Sequence, residues 1–135
     1  MLDEFIKEFN IGEKVNPSQY SPLVLAYLGD CVYELFVRTY LVKDANFPVK
    51  QLHRMATEMV KAKAQSDLFQ KVEGILTEEE TAVYHRGRNT NSHPPKNAKL
   101  RDYKAATGME ALIGYLYLKG ESGRITELLR FLTEG

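Results

Sequence analysis

At 135 residues, 44% of them apolar and 27% charged, the chain has the size of one domain and a globular composition, which excludes a disordered tail or a membrane protein. Its 18 Lys and Arg balance its 18 Asp and Glu, so net charge announces no nucleic-acid partner, and a phosphate-binding surface must come from uneven placement of charge. A single cysteine, Cys31, excludes a disulfide framework and a cysteine-cluster zinc site, and the acidic, amphipathic Met1 to Lys14 segment is unlike a signal peptide, so cytoplasmic residence is expected.

Leu2, Phe5, Ile6 and Phe9 recur at helical spacing, and Asn10 to Ser21, with Gly12, Asn16 and Pro17, reads as a connection. Ser21-Pro22 predicts an N-cap and a first helical residue, opening a helix that runs to about Lys43. Phe47-Pro48 opens a third helix with Val49, Leu52, Ala56, Met59 and Val60 on one face; near Ser66 it gives way to a further turn or two through Leu68, Phe69 and Val72. Thr77, with Glu80 three residues on, predicts a capping box for a short helix to about Arg86. Gly87 to Asn97 is the longest polar, proline-containing stretch and is expected to be irregular. A helix from about Lys99 to Lys119 ends on Gly120, and Ser122 to Glu134 makes the last. No strand alternation, hairpin signal or repeat interrupts this pattern, so the fold class is all-α, one helical unit over residues 1–135.

Two of these helices stand apart. Between Lys14 and Asp30 there is no charge, and SPLVLAYLGDCVYELFV is apolar on nearly every face, the mark of a helix buried all round. In KAATGMEALIGYLYLK, Glu110 is the single charge between Lys104 and Lys119. Each helix therefore carries a carboxylate where packing calls for an apolar side chain, and a buried ionised carboxylate is costly unless paired or metal-bound. Gly29 beside Asp30, and Gly108 and Gly114 around Glu110, suggest that the two helices approach closely and bring the carboxylates together. Two carboxylates in one site either raise a pKa or recruit a hard divalent cation such as Mg²⁺. The plainer alternative is a carboxylate satisfied by Arg38 or a tyrosine hydroxyl. Glu34 reads either as a further ligand or, more simply, as part of a salt-bridge stripe with Arg38.

Charge is placed unevenly. From His85 to Lys104 the chain carries Arg86, Arg88, Lys96, Lys99, Arg101 and Lys104 against one acid, Asp102. A solvated face would look the same, but metal-bound carboxylates near a basic patch point to phosphodiester chemistry. Other chemistries find little footing: no nucleophile elbow occurs, Cys31 lies in the apolar helix and reads as core, and His53, His85 and His93 lack metal-ligand spacing.

The segment LAYLGDCVYEL, Leu25 to Leu35, resembles the ribonuclease III signature, and GMEALIGYLYLKG, Gly108 to Gly120, resembles that family's second acidic motif. YHRGRN and the Pro94 to Ala98 segment extend the likeness over the whole chain to the short bacterial branch, the Mini-ribonuclease III family, which has the catalytic domain without a double-stranded-RNA-binding domain. The resemblance implies a dimeric, ribonuclease III-like helical bundle: a homodimeric endoribonuclease, dependent on Mg²⁺ with Mn²⁺ as a replacement, acting on double-stranded RNA. The family's characteristic role is maturation of the large-subunit (23S) ribosomal RNA precursor. Two positions depart from the wider ribonuclease III pattern, where acids stand four residues before the aspartate and three before the glutamate; here they are Ala26 and Thr107.

The resulting expectation has Asp30 and Glu110 as catalytic metal ligands. Arg86, Arg88, Lys96 and Lys99 would contact RNA phosphates, with Lys61 and Lys63 as a second group. The Ser21 to Lys43 helix, apolar on more faces than a small monomer can cover, would form the two-fold interface. A non-catalytic helical RNA-binding or ribosome-assembly protein, suggested by Ala26 and Thr107, is the competing reading; a protein-interaction adaptor without RNA affinity is a third.

Overall fold

The computed structural model describes residues 2–90, 93–96 and 99–134. It contains seven α-helices among these residues: α1 Leu2–Glu8, α2 Pro22–Val42, α3 Val49–Val60, α4 Ala62–Val72, α5 Glu78–Arg88, α6 Leu100–Leu118 and α7 Ser122–Leu129. Short 3₁₀ turns at Pro17–Gln19, Glu73–Ile75 and Arg130–Leu132 complete the described elements, and no strand occurs among them. None of these helices is long and apolar enough to cross a membrane.

Local chemistry sets the helix ends. Ser21 Oγ accepts from Val24 N at 3.2 Å with Pro22 at the first helical position, so α2 begins where a side-chain acceptor and a fixed φ coincide. Thr77 and Glu80 make the reciprocal capping box at the start of α5, at 2.9 and 3.1 Å. The same Glu80 carboxylate is buried against Arg124 of α7, at 2.9 and 2.8 Å, and this guanidinium holds its carboxyl below the usual range. One glutamate thus caps one helix and anchors another. At the end of α6, Gly120 adopts φ +75° while Glu121 N donates to Leu116 O at 2.9 Å, the closure that an αL residue allows.

Helix α6 is the axis of the bundle. Of its 19 residues 12 are buried, with Met109, Ala111, Leu112 and Ile113 fully enclosed, and α2, α4 and α5 pack around it. α3 lies against α2, and α7 closes one side of α6.

Several expectations are corrected. α2 is not buried all round: Leu23, Val24, Tyr27 and Leu35 form an open apolar side, with Tyr27 83% exposed. Cys31 is exposed rather than part of the core, because it falls on that open side of α2. The break after α3 falls at Lys61 and not near Ser66; Lys61 is extended at ψ 157° and α4 starts at once. Gly87 does not end α5. A side chain there would press on Ala111 and the backbone of Gly108, so the glycine lets α5 lie against α6 and the helix continues to Arg88. The final helix ends at Leu129 and tightens into a 3₁₀ turn. Asn91, Ser92 and Asn97 of the irregular stretch lie outside the described residues.

Candidate functional site

The site is built where α2 crosses α6. A Cβ on Gly29 would overlap the carbonyl oxygen of Glu110, and one on Gly114 would overlap the carbonyl oxygen of Leu25, so the two backbones touch directly. Gly108, expected to share this crossing, instead faces the Tyr84 ring of α5. Because Asp30 follows Gly29 and Glu110 is the residue Gly29 touches, the crossing sets the two carboxylates side by side.

Their surroundings differ. Asp30 is exposed, whereas Glu110 is half-buried. Burial pushes the Glu110 carboxyl up to about 8; a hydrogen bond from Gln65 opposes this, and the neighbouring charge and hydrogen bonding of Asp30 add to it. Tyr33, one turn along α2 and nearly enclosed, is raised above its ordinary value by its burial and then by Glu110, and its hydroxyl donates to Met59 O at 2.9 Å. A hollow of about 560 Å³ opens over the pair, lined by Leu23, Tyr27, Asp30, Cys31, Thr107 and Glu110 among others.

The donor set fits a divalent metal. Two adjacent hard oxygen donors, one pushed up by burial and then by its neighbour's charge, are what a cation such as Mg²⁺ would relieve. Gln65 Nε2 donates to Glu110 Oε2 at 3.3 Å, leaving the remaining lone pairs of that carboxylate open to a cation. No cluster of three or more His, Cys, Asp or Glu side chains suited to a metal occurs among the described residues. The positions that could have added acids are Ala26, which is buried, and Thr107, whose hydroxyl donates to Tyr103 O at 3.1 Å. Glu34 pairs with Arg38 at 3.4 Å on the rim of the hollow. A protein offering two carboxylates leaves most of an octahedral shell to water and substrate oxygens.

The basic residues divide into two groups. Lys63 of α4 and Lys99 just before α6 line one polar hollow of about 290 Å³ together with Ser66, Gln70, Arg101 and Asp102. Lys63 and Lys99, expected in separate groups, and Arg101, not among the expected phosphate contacts, are joined by the packing of α4 on α6. Lys63 is held by Asp67 at 3.1 Å and Lys61 by Glu58 at 2.7 Å. Arg86 and Arg88 are exposed at the end of α5, outside that hollow, with Arg86 donating to Ser18 O at 3.1 Å and Arg88 to Asn89 Oδ1 at 3.2 Å. Lys96 is exposed in the connection before α6. Gln65 and Tyr33 escaped the sequence reading, since neither type stands out in its segment; only the position of Tyr33 one turn after Asp30 was a signal.

Comparison with known proteins shows the family. The ribonuclease III domain family matches residues 23–121, which span both carboxylates. The Mini-ribonuclease 3 of Clostridium tetani is 44% identical over 132 residues, covering 94% of this chain and 87% of that protein. Those of Symbiobacterium thermophilum and Enterococcus faecalis are each 47% identical over 116 residues, covering 85% and 84% of this chain and 89% and 88% of theirs. An X-ray crystal structure of a Fusobacterium nucleatum protein superposes with a TM-score of 0.80 at 32% identity, covering 87% of this chain and 94% of that one.

Proposed function

The chain belongs to the ribonuclease III family, within its Mini-ribonuclease 3 group, and from that premise we propose that it cuts duplex RNA with Asp30 and Glu110 as the residues that hold its metal. It is an endoribonuclease acting on double-stranded RNA, in a family that generally depends on a divalent metal. The metal we assign is Mg²⁺, with Mn²⁺ able to replace it. The observation that carries this reading is the pair of carboxylates set side by side by the Gly29 and Gly114 contact, with Glu110 pushed up to about 8.

When bound, the cation lowers the pKa of water and offsets charge developing on a phosphoryl oxygen. The chain's own part is to hold and to orient. Asp30 and Glu110 supply the negative charge that keeps the metal beside the crossing. Lys63, Lys99 and Arg101 meet phosphates on one side, and Arg86, Arg88, Lys96 and Lys61 extend the positive surface. Recognition is mainly of A-form shape, because the deep major groove of duplex RNA hides its base edges. The substrate that fits the family is the precursor of large-subunit (23S) ribosomal RNA, processed in the cytoplasm.

The working form is a homodimer with a single catalytic domain per chain. Leu23, Val24, Tyr27 and Leu35 leave an apolar strip on α2 that a second copy would cover by a two-fold contact. Leu23 and Tyr27 also line the hollow over Asp30, so the partner would wall the site it adjoins.

The test is a uniform duplex RNA incubated with Mg²⁺, beside the same strands unpaired and a sample with EDTA. Cleavage confined to the duplex with metal is expected. An intact duplex under those conditions, with RNA still bound, would return the protein to a non-catalytic RNA-binding role.

A further inference from the structure

The first turn of α4 carries a glutamine where packing alone would favour an apolar side chain. Gln65 is 2% exposed, among the most enclosed polar residues of the described chain. It lies between Ala64 and Ser66, close to the junction where α3 stops and α4 begins. A buried amide is destabilising unless its groups find partners, so its hydrogen bonds show what the position is for.

Both hydrogens of the amide nitrogen are engaged. Gln65 Nε2 donates to Val60 O at 3.0 Å and to Glu110 Oε2 at 3.3 Å. The Val60 carbonyl can only accept, which fixes the amide with its nitrogen toward Glu110 and its oxygen turned away. That oxygen is buried without a partner, a destabilising feature that the position bears. A side chain serving only to fill space would do so more cheaply as leucine or methionine.

The Val60 carbonyl is free to accept because α3 ends there, and the last carbonyls of a helix have no partner within it. Its neighbour, Met59 O, is taken by the Tyr33 hydroxyl at 2.9 Å. Two consecutive carbonyls at the end of α3 are thus capped by side chains from α2 and α4, and both side chains adjoin Glu110. The end of α3 forms a fixed post, and Gln65 ties the carboxylate to it.

We propose that Gln65 is a positioning residue for the metal centre: its amide, anchored on Val60 O, holds the Glu110 carboxylate in the orientation in which it acts with Asp30 on the cation. With only two acids at the site, a Glu110 free to change rotamer would halve the protein's share of the ligands. This inference rests on the reading that Glu110 holds the metal. It adds a third helix, α4, to a centre otherwise formed by α2 and α6.

The experiment compares wild type, Gln65→Leu, Gln65→Met and Glu110→Gln in two measurements made without RNA. Thermal unfolding is followed as MgCl₂ is raised, and Mn²⁺ binding is followed by electron paramagnetic resonance. Loss of a group that orients a ligand typically weakens metal binding by about 10- to 100-fold. Gln65→Leu and Gln65→Met are expected to fold, with a metal-free Tm lowered slightly by the uncapped Val60 carbonyl, and to need about 10-fold more metal for half-maximal effect. Their cleavage of duplex RNA should recover at high metal, with KM for RNA unchanged. Wild-type metal midpoints in both folded variants would overturn the proposal, and so would failure of both to fold, since Gln65 would then serve the fold alone. If Glu110→Gln itself kept wild-type metal binding and cleavage, the reading of Glu110 would fail first, and that outcome is distinct from the other two.

Discussion

Helices α2 and α6 look alike in sequence, each a long apolar run with a carboxylate, Asp30 or Glu110, set into it near a glycine, yet they occupy different environments. α6 has 12 of 19 residues buried and is walled by α2, α4 and α5; α2 has 7 of 21 buried and leaves one side open. The carboxylates follow their helices, with Asp30 exposed and Glu110 half-buried and pushed up to about 8. An apolar helix is therefore not always a central one. Where its excess lies on one side, next to a chemical group, it marks a surface awaiting company as well as a core.

The sharpest way to break this comparison is to remove each charge. Asp30→Asn and Glu110→Gln should each lower cleavage by several orders of magnitude while duplex binding persists, and the double variant should be little worse than either single one, because both residues serve one centre. Single-turnover cleavage measures this. Full activity in either variant would end that residue's part in the centre.

The open side of α2 is tested by Tyr27→Glu, which places a charge at the most exposed of its apolar positions. Sedimentation velocity should give a dimer for wild type and a monomer for the variant, with the helical circular dichroism unchanged. A wild-type monomer at working concentration would leave α2 open in solution.

The closed side is tested by Gly29→Ala. Its new methyl group would meet the Glu110 carbonyl, part of a backbone and unable to yield, so a loss of about 3 kcal/mol or more in urea denaturation is expected. Gly123→Ala in α7, where nothing lies within 4 Å of the added carbon, should instead stabilise the protein by up to about 1 kcal/mol. A neutral Gly29→Ala would mean that the two helices can part without penalty.

A pH dependence tests the half-buried carboxylate itself. In the metal-free protein Glu110 keeps its proton to about 8, whereas at its ordinary value of 4.5 the unfolded chain has lost it. Between these values the folded state binds more protons than the unfolded one, so Glu110 makes stability fall as pH rises through that window. Thermal unfolding should show this decline, and both saturating Mg²⁺ and Glu110→Gln should flatten it. A decline that persists in Glu110→Gln would place its origin elsewhere.

Most helix boundaries were legible because they rest on local chemistry: Ser21 with Pro22, Thr77 with Glu80, and Gly120 each act within a few residues of themselves. The junction at Lys61 was not, because the apolar periodicity runs on through it and its carbonyls are satisfied by Tyr33 and Gln65 from other helices. Gly87 misled for a similar reason, since its purpose is contact with Ala111 and not a turn. At the site, Asp30 and Glu110 stood out as lone charges in apolar runs, and their closeness could be inferred from Gly29 and Gly114. Gln65, in a segment rich in Lys, Gln and Asp, offers no contrast until the tertiary structure shows it buried. The same holds for the hollow that gathers Lys63, Lys99 and Arg101, which depends on how α4 lies on α6.

The contact of Gly29 with the Glu110 carbonyl has a bearing on how the molecule fails when heated. The spacing of the two helices beneath the carboxylates is fixed by main chain against main chain, with no intervening side chain between them at Gly29 and Gly114. Amides around such a junction are expected to exchange with solvent near the upper end of the range of opening free energies, which native-state hydrogen exchange measures. On that basis inactivation on heating is expected to coincide with global unfolding instead of preceding it, as parallel activity and unfolding curves would show.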